Sequence, residues 1–114
     1  MTDCIFCRIA SGEIPARLAG RSEHAMAFHD LNPQAPVHVL VVPVRHVGGA
    51  NDTAATDGAI WSELMGLAVR VAGELGLGDG GYRLVVNQGR DGGQSVGHLH
   101  VHLLGGRRLG WPPG

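Results

Sequence analysis

The chain has 114 residues, 44% hydrophobic and 17% charged, an ordinary globular balance that excludes disordered and collagen-like classes. Ten acidic residues against nine basic ones give a formal net charge of -1, which argues against a general electrostatic hold on nucleic acid or an anionic membrane. No stretch approaches the roughly 18 apolar residues of a membrane span, and "MTDCIFCRIA" lacks the basic region and long apolar run of a signal peptide. One soluble, cytoplasmic domain over residues 1–114 is the expectation.

Residues 4 to 10 suit a short helical turn, ended by the "SGEIP" loop. The stretches "HAMAFHDL" (24–31) and "VHVLVVPV" (37–44) read as strands separated by the turn signal "NPQAP". The second is almost wholly β-branched or leucine, as in a central strand buried on both faces, and Pro43 ends it. A loop follows at 48–55, after which Thr56 or Asp57 can cap the next element. From Ile60 to Leu75 apolar residues recur at helical spacing (Ile60, Leu64, Leu67, Ala68, Val71, Leu75), and "GLGDGG" stops this helix. A strand "YRLVVN" (82–87), a glycine-rich loop "QGRDGGQSVG" and a last strand "HLHVHLL" (98–104) complete the order. Strands with one long helix between them, and no repeated crossover unit, indicate an α+β domain with a mostly antiparallel sheet.

The last strand carries histidine at every second position. Alternation puts His98, His100 and His102 on one face and Leu99, Val101 and Leu103 on the other. Three merely structural histidines would each need a buried partner. One metal held by all three would be strained, because His98 and His102 would lie about 13 Å apart along a straight strand. A zinc hydrolase built on His98 and His100 stays open as an alternative. The chemistry that best suits the row is nucleophilic: a neutral imidazole attacks phosphorus, and neighbouring imidazoles manage protons near neutral pH. The central His100 is the expected nucleophile. The preceding loop supplies glycine N–H groups, with Gln94 and Ser95 as side-chain donors, and suits an anionic oxygen; a plain hairpin loop is the alternative.

Cys4 and Cys7 have the spacing that lets one turn offer two thiolates to zinc, although a pair of reduced thiols fits the same residues. Hydrophobicity alone would place Phe6, Ile9, Phe28 and Leu31 in the core. Asp30 before "LNP" suits a turn cap, and Asn87 a strand end.

These segments together resemble a known family. "HLHVHLL" has the His-φ-His-φ-His-φ-φ pattern of the histidine triad (HIT) family of nucleotidyl hydrolases and transferases. "CIFCRIASGEIPA", "AFHDLNPQAPVHVLVVP", "YRLVVNQGRDGGQSVGHLHVHLLGGR" and "WPPG" are similar to its Hint branch, the purine nucleoside phosphoramidases, over nearly the whole chain. The resemblance implies a five-stranded, mostly antiparallel sheet with one long and one short N-terminal helix, extended across a homodimer. It implies a single HIT domain that hydrolyses adenosine or guanosine 5′-phosphoramidates through a nucleotidyl intermediate on His100. His102, His38 and Ser95 would assist. Asp30 would bind the ribose, and Phe6, Ile9, Phe28 and Leu31 would wall the base. Asn87, Gly93, Ser95 and Val96 would contact phosphate, and His98 would bind substrate unless it holds zinc.

Catalysis in the family needs no metal. In relatives that keep the cysteine pair, however, the equivalents of His46 and His98 complete a structural zinc site with Cys4 and Cys7, so a structural zinc is expected here. The expected partners are a purine nucleotide and a second copy of the chain, not nucleic acid or membrane. Two alternatives remain: hydrolysis of dinucleoside polyphosphates, as in another branch, and a nucleotide-binding regulatory module with incidental activity.

Overall fold

A computed structural model describes residues 3–52 and 56–114; the end of the loop predicted at 48–55 lies outside the described residues. Eight elements follow in order: α1 (Ile5–Ala10), β1 (Leu18–Arg21), β2 (Ala25–His29), β3 (Val37–Pro43), α2 (Gly58–Glu74), β4 (Tyr82–Val85), α3 (Gly89–Gly92) and β5 (Val101–Gly105). The strands form one five-stranded sheet in the order β1-β2-β3-β5-β4, with every neighbouring pair antiparallel. The α+β expectation is borne out, as are the long helix and the short N-terminal one.

The sheet divides two cores. Ala25, Ala27, Val39, Val41, Val101 and Leu103 point to α2, whose apolar stripe of Ile60, Leu64, Leu67, Ala68, Val71 and Ala72 covers them. Each larger aliphatic side chain removed from water there contributes about 1.5–3 kcal/mol. Asp57, one of the two predicted caps, starts α2 by accepting a hydrogen bond from the Ala59 N–H at 3.0 Å. On the opposite face Met26, Phe28, Leu40 and Val42 pack with Phe6 and Ile9 of α1. His38 and His102 belong to this second face, since they alternate with Val39 and Leu103.

Two elements are absent from the sequence reading. β1 has no apolar alternation to reveal it, being a short edge strand with exposed ends. Its Gly20 lies so close to α2 that a Cβ would meet the Val71 Cγ2 at 2.8 Å, so glycine here serves helix packing. Inside the glycine-rich loop, residues 89–92 wind into α3, which Gly93 closes in the left-handed region at φ 78°. Among the described residues no helix is long and apolar enough to cross a membrane.

Candidate active site

The histidine row alternates as expected, but only His102 lies in a strand. β5 starts at Val101, and His98 and His100 precede it. Proline accounts for this. Extending the β3–β5 register two residues beyond Val41–Val101 would set Pro43 opposite Leu99, and proline has no N–H for the ladder. The Leu99 N–H turns instead to the Val47 carbonyl, and the free Pro43 carbonyl accepts from the His98 Nε2–H at 2.9 Å. Leu99 still enters the α2 core, while the rings of His98 and His100 are buried against Phe6 on the other side.

Backbone partners fix which ring nitrogen carries each proton, because a carbonyl only accepts and an N–H only donates. His100 Nδ1 lies 2.7 Å from the His98 carbonyl oxygen and so carries the hydrogen. In its neutral form the ring holds its lone pair on Nε2. At His38, the Gln34 N–H donates to Nδ1 at 3.0 Å, which puts the ring hydrogen on Nε2. That Nε2–H donates to His102 Nδ1 at 2.9 Å, leaving His102 with its own hydrogen on Nε2. The rings of His100 and His102 are 4.9 Å apart between centroids. Burial, reinforced by the nearby His100 and His38, depresses the His102 pKa to about 4 against the opposing pull of Asp30, so the ring is neutral at pH 7. Burial also lowers that of His38, again opposed by Asp30. The site therefore offers one bare nitrogen lone pair beside one neutral N–H donor.

Asp30 fills the predicted turn-cap role with one carboxylate oxygen and turns the other toward His38. Oδ1 accepts the Asn32 N–H at 2.8 Å in a side-chain-closed turn, while Oδ2 lies 3.5 Å from His38 Nε2. Phe6, Ile9 and Phe28 cluster, with the Phe6 ring edge-on to Phe28 at 5.5 Å. Leu31 does not join them: it is 95% exposed in the turn after Asp30. Asn87 is half-buried just beyond β4, Ser95 is exposed between α3 and the histidines, and Val96 packs against the Phe6 cluster.

Gln94 corrects the sequence reading. Its Nε2 donates to the Gly48 and Val96 carbonyls at 2.9 and 3.0 Å, and its Oε1 accepts from the Gly89 N–H at 2.9 Å. The amide is used inside the protein, so it braces the loop and does not reach for a ligand. Sequence reasoning also missed the carbonyls of His98 and Pro43 and the N–H of Gln34, for which only the Pro43 strand end gave any signal. In the tail, Arg83 donates to the Gly110 carbonyl at 2.7 Å and its guanidinium lies 6.0 Å from the Trp111 ring centre. A surface hollow lined by Glu23, His24, Arg45, Asp57 and Glu63 shares no residue with this site.

Among the described residues, two side-chain groups have ligand atoms within 4.8 Å of one another, and they differ in chemistry. In the first, Cys4 Sγ and Cys7 Sγ lie 3.2 and 3.5 Å from His98 Nδ1, and Cys7 Sγ lies 3.2 Å from His46 Nδ1. Ligands of a tetrahedral zinc ion stand roughly 3.3–3.8 Å apart, given bonds of 2.0–2.3 Å. The His98 Nε2–H is held by Pro43, so its lone pair is the Nδ1 one that faces the thiols; this is the outer bond a metal-ligating histidine uses. These four residues fit a closed structural ion. In the second group, Asp30, His38 and His102, the Gln34 N–H forces the His38 hydrogen onto the Nε2 that points into the cluster. A proton occupies the position a metal would need, so this group does not fit an ion.

The model of the HIT domain matches residues 11–109. The chain belongs to the HIT domain family. An uncharacterized HIT-like protein of Synechocystis is 46% identical over 112 residues, covering 98% of this chain and 97% of that protein. The crystal structure of a HIT family hydrolase from Legionella pneumophila superposes with a TM-score of 0.93 at 45% identity, covering 98% of this chain and 100% of that one. A histidine triad nucleotide-binding protein from Candida albicans superposes at 0.81 with 30% identity, covering 96% of this chain and 83% of that one. The HIT fold thus accounts for the sheet order and for the histidine row that names the family.

Proposed function

We propose that this HIT protein is a purine nucleoside phosphoramidase of the Hint branch, acting through His100. The observation that carries the reading is the His100 ring itself. Its Nδ1–H is held by the His98 carbonyl, which leaves the Nε2 lone pair for attack, and a neutral His102 Nε2–H stands beside it. Supporting it at the family level, relatives in the structural comparison include a protein named a hydrolase and one named for nucleotide binding.

In this mechanism Nε2 attacks the α-phosphorus of a nucleoside 5′-phosphoramidate and the P–N bond breaks. The departing amine takes a proton from water. The nucleotidyl-His100 ring is then cationic, and its Nδ1–H on the His98 carbonyl stabilises that charge. His102, neutral near pH 7, donates its Nε2–H to a phosphoryl oxygen. Water attacks phosphorus next, loses a proton, and the nucleoside monophosphate departs as Nε2 regains its lone pair. Ser95, Asn87 and the backbone at Gly93 and Val96 receive the phosphate, Asp30 Oδ2 takes the ribose hydroxyls, and Phe6, Ile9, Phe28 and Leu31 face the base. Catalysis uses no cofactor. Zinc, when bound by Cys4, Cys7, His46 and His98, cross-links the N-terminal segment to the sheet. The chain acts as one HIT domain over residues 1–114, and as a homodimer in which a second copy extends the sheet at an open edge.

Intact-protein mass after rapid mixing with an adenosine 5′-phosphoramidate tests the reading. Wild type should gain one adenylyl group transiently, metal-stripped folded protein should gain it too, and His100→Ala should not. Turnover that persists in His100→Ala would remove the nucleophile assignment. Preferred cleavage of a dinucleoside polyphosphate would move the protein to another branch, and tight nucleotide binding without turnover would make it a binding module.

A further inference from the structure

The four-ligand cluster and the nucleophile meet in one residue. His98 turns its ring Nδ1 toward Cys4 and Cys7, while its own carbonyl oxygen accepts the His100 Nδ1–H. Phe6 lies on α1 between the two cysteines, and its ring stands edge-on to both His98 and His100 at 5.8 and 5.2 Å. The Cys4 Sγ also caps α1 by accepting the Cys7 N–H at 3.5 Å. The His98 ring is fully buried and bonded to the Pro43 carbonyl, so any turn of it breaks that bond.

We propose that His98 and Phe6 are positioning residues for His100, and that occupation of the Cys4–Cys7–His46–His98 cluster by a zinc-like cation sets how firmly they hold it. This deepens the phosphoramidase reading and rests on His100 as its nucleophile. Fixing the thiols and the His98 ring fixes the peptide whose carbonyl selects the reactive tautomer. It also fixes the helix that presses Phe6 against the reactive ring. If that carbonyl shifts, the proton can move to Nε2, where it occupies the attacking lone pair. The cluster then governs the chemical step without touching substrate.

The test uses full-length protein labelled with 15N-histidine, in which long-range 1H–15N spectra report the tautomer of each ring. Zinc-loaded and chelator-stripped samples are compared at one pH, with kcat and KM measured in parallel. In the loaded protein His100 should show the Nδ1–H tautomer alone. In the stripped protein it should show a mixture, with kcat lower by roughly 10- to 100-fold and KM changed by less than about threefold. His46→Asn alters the exposed ligand and leaves the core intact, so it carries the test should the stripped chain unfold; excess zinc should restore its tautomer and kcat. Phe6→Leu should lower kcat while zinc stays bound. A pure Nδ1–H tautomer with unchanged kcat in the stripped, folded protein would overturn the proposal, as would failure to bind zinc. If the loaded protein has no phosphoramidase turnover, the functional reading fails, and the spectra still decide the positioning.

Discussion

Removing the Gln94 carboxamide would leave the Gly48 and Val96 carbonyls without their side-chain donor and the Gly89 N–H without its acceptor. Gln94→Ala should destabilise the protein by about 1–3 kcal/mol, read by urea unfolding. It should also raise KM for a nucleotide more than it lowers kcat, because the loop it braces is the one proposed to receive the phosphate and does not carry the proposed nucleophile. His102 makes a prediction in pH. Its pKa falls to about 4 on folding from near 6.5 for the open imidazole. Between those values the unfolded chain binds more protons, so stability rises with pH across that window and is lost as pH falls from about 6.5 toward 4. His38 shifts in the same direction. Urea midpoints from pH 7.5 to 4.5 should drop in wild type and drop less in His102→Asn. At this scale the sequence was legible wherever side-chain type mattered. The alternation of the triad and the Cys4–Cys7 spacing could be read, whereas His46 and His98 became candidate metal ligands only through the family resemblance. The groups that assign the tautomers were invisible, because every residue has a carbonyl and nearly every one an N–H.

Among the elements, β1 is the one held in place by what its sequence omits. Gly20→Ala would push a Cβ against Val71, a stiff β-branched side chain on a buried helix face, with Leu67 Cδ1 only 3.4 Å away. The expected cost is about 1–3 kcal/mol, measurable as a lower urea midpoint with unchanged slope. The same glycine hid the strand, since a four-residue edge with Gly inside shows neither β-propensity nor alternation. The long helix was readable for the opposite reason: its stripe repeats over four turns and fills one core. β5 was readable in alternation but not in extent, because its start depends on the proline it would meet across the sheet. The glycine-rich loop concealed α3, whose short turn depends on the left-handed glycines at 89 and 93 and on the brace from Gln94.

At the scale of the whole molecule, the sheet separates stability from chemistry. Leu103 is fully buried under α2, and its neighbour His102 belongs to the histidine cluster on the other face. Leu103→Ala should cost about 2–5 kcal/mol in urea unfolding and leave kcat per folded molecule unchanged. A fall in kcat at full folding would show that the backbone passes strain through the pleat. If kcat holds, a descendant of this chain can rebuild the hydrophobic side after a damaging mutation while its reactive side stays as it was. Heritable change then has two nearly independent ledgers, written on alternate letters of the same short segment.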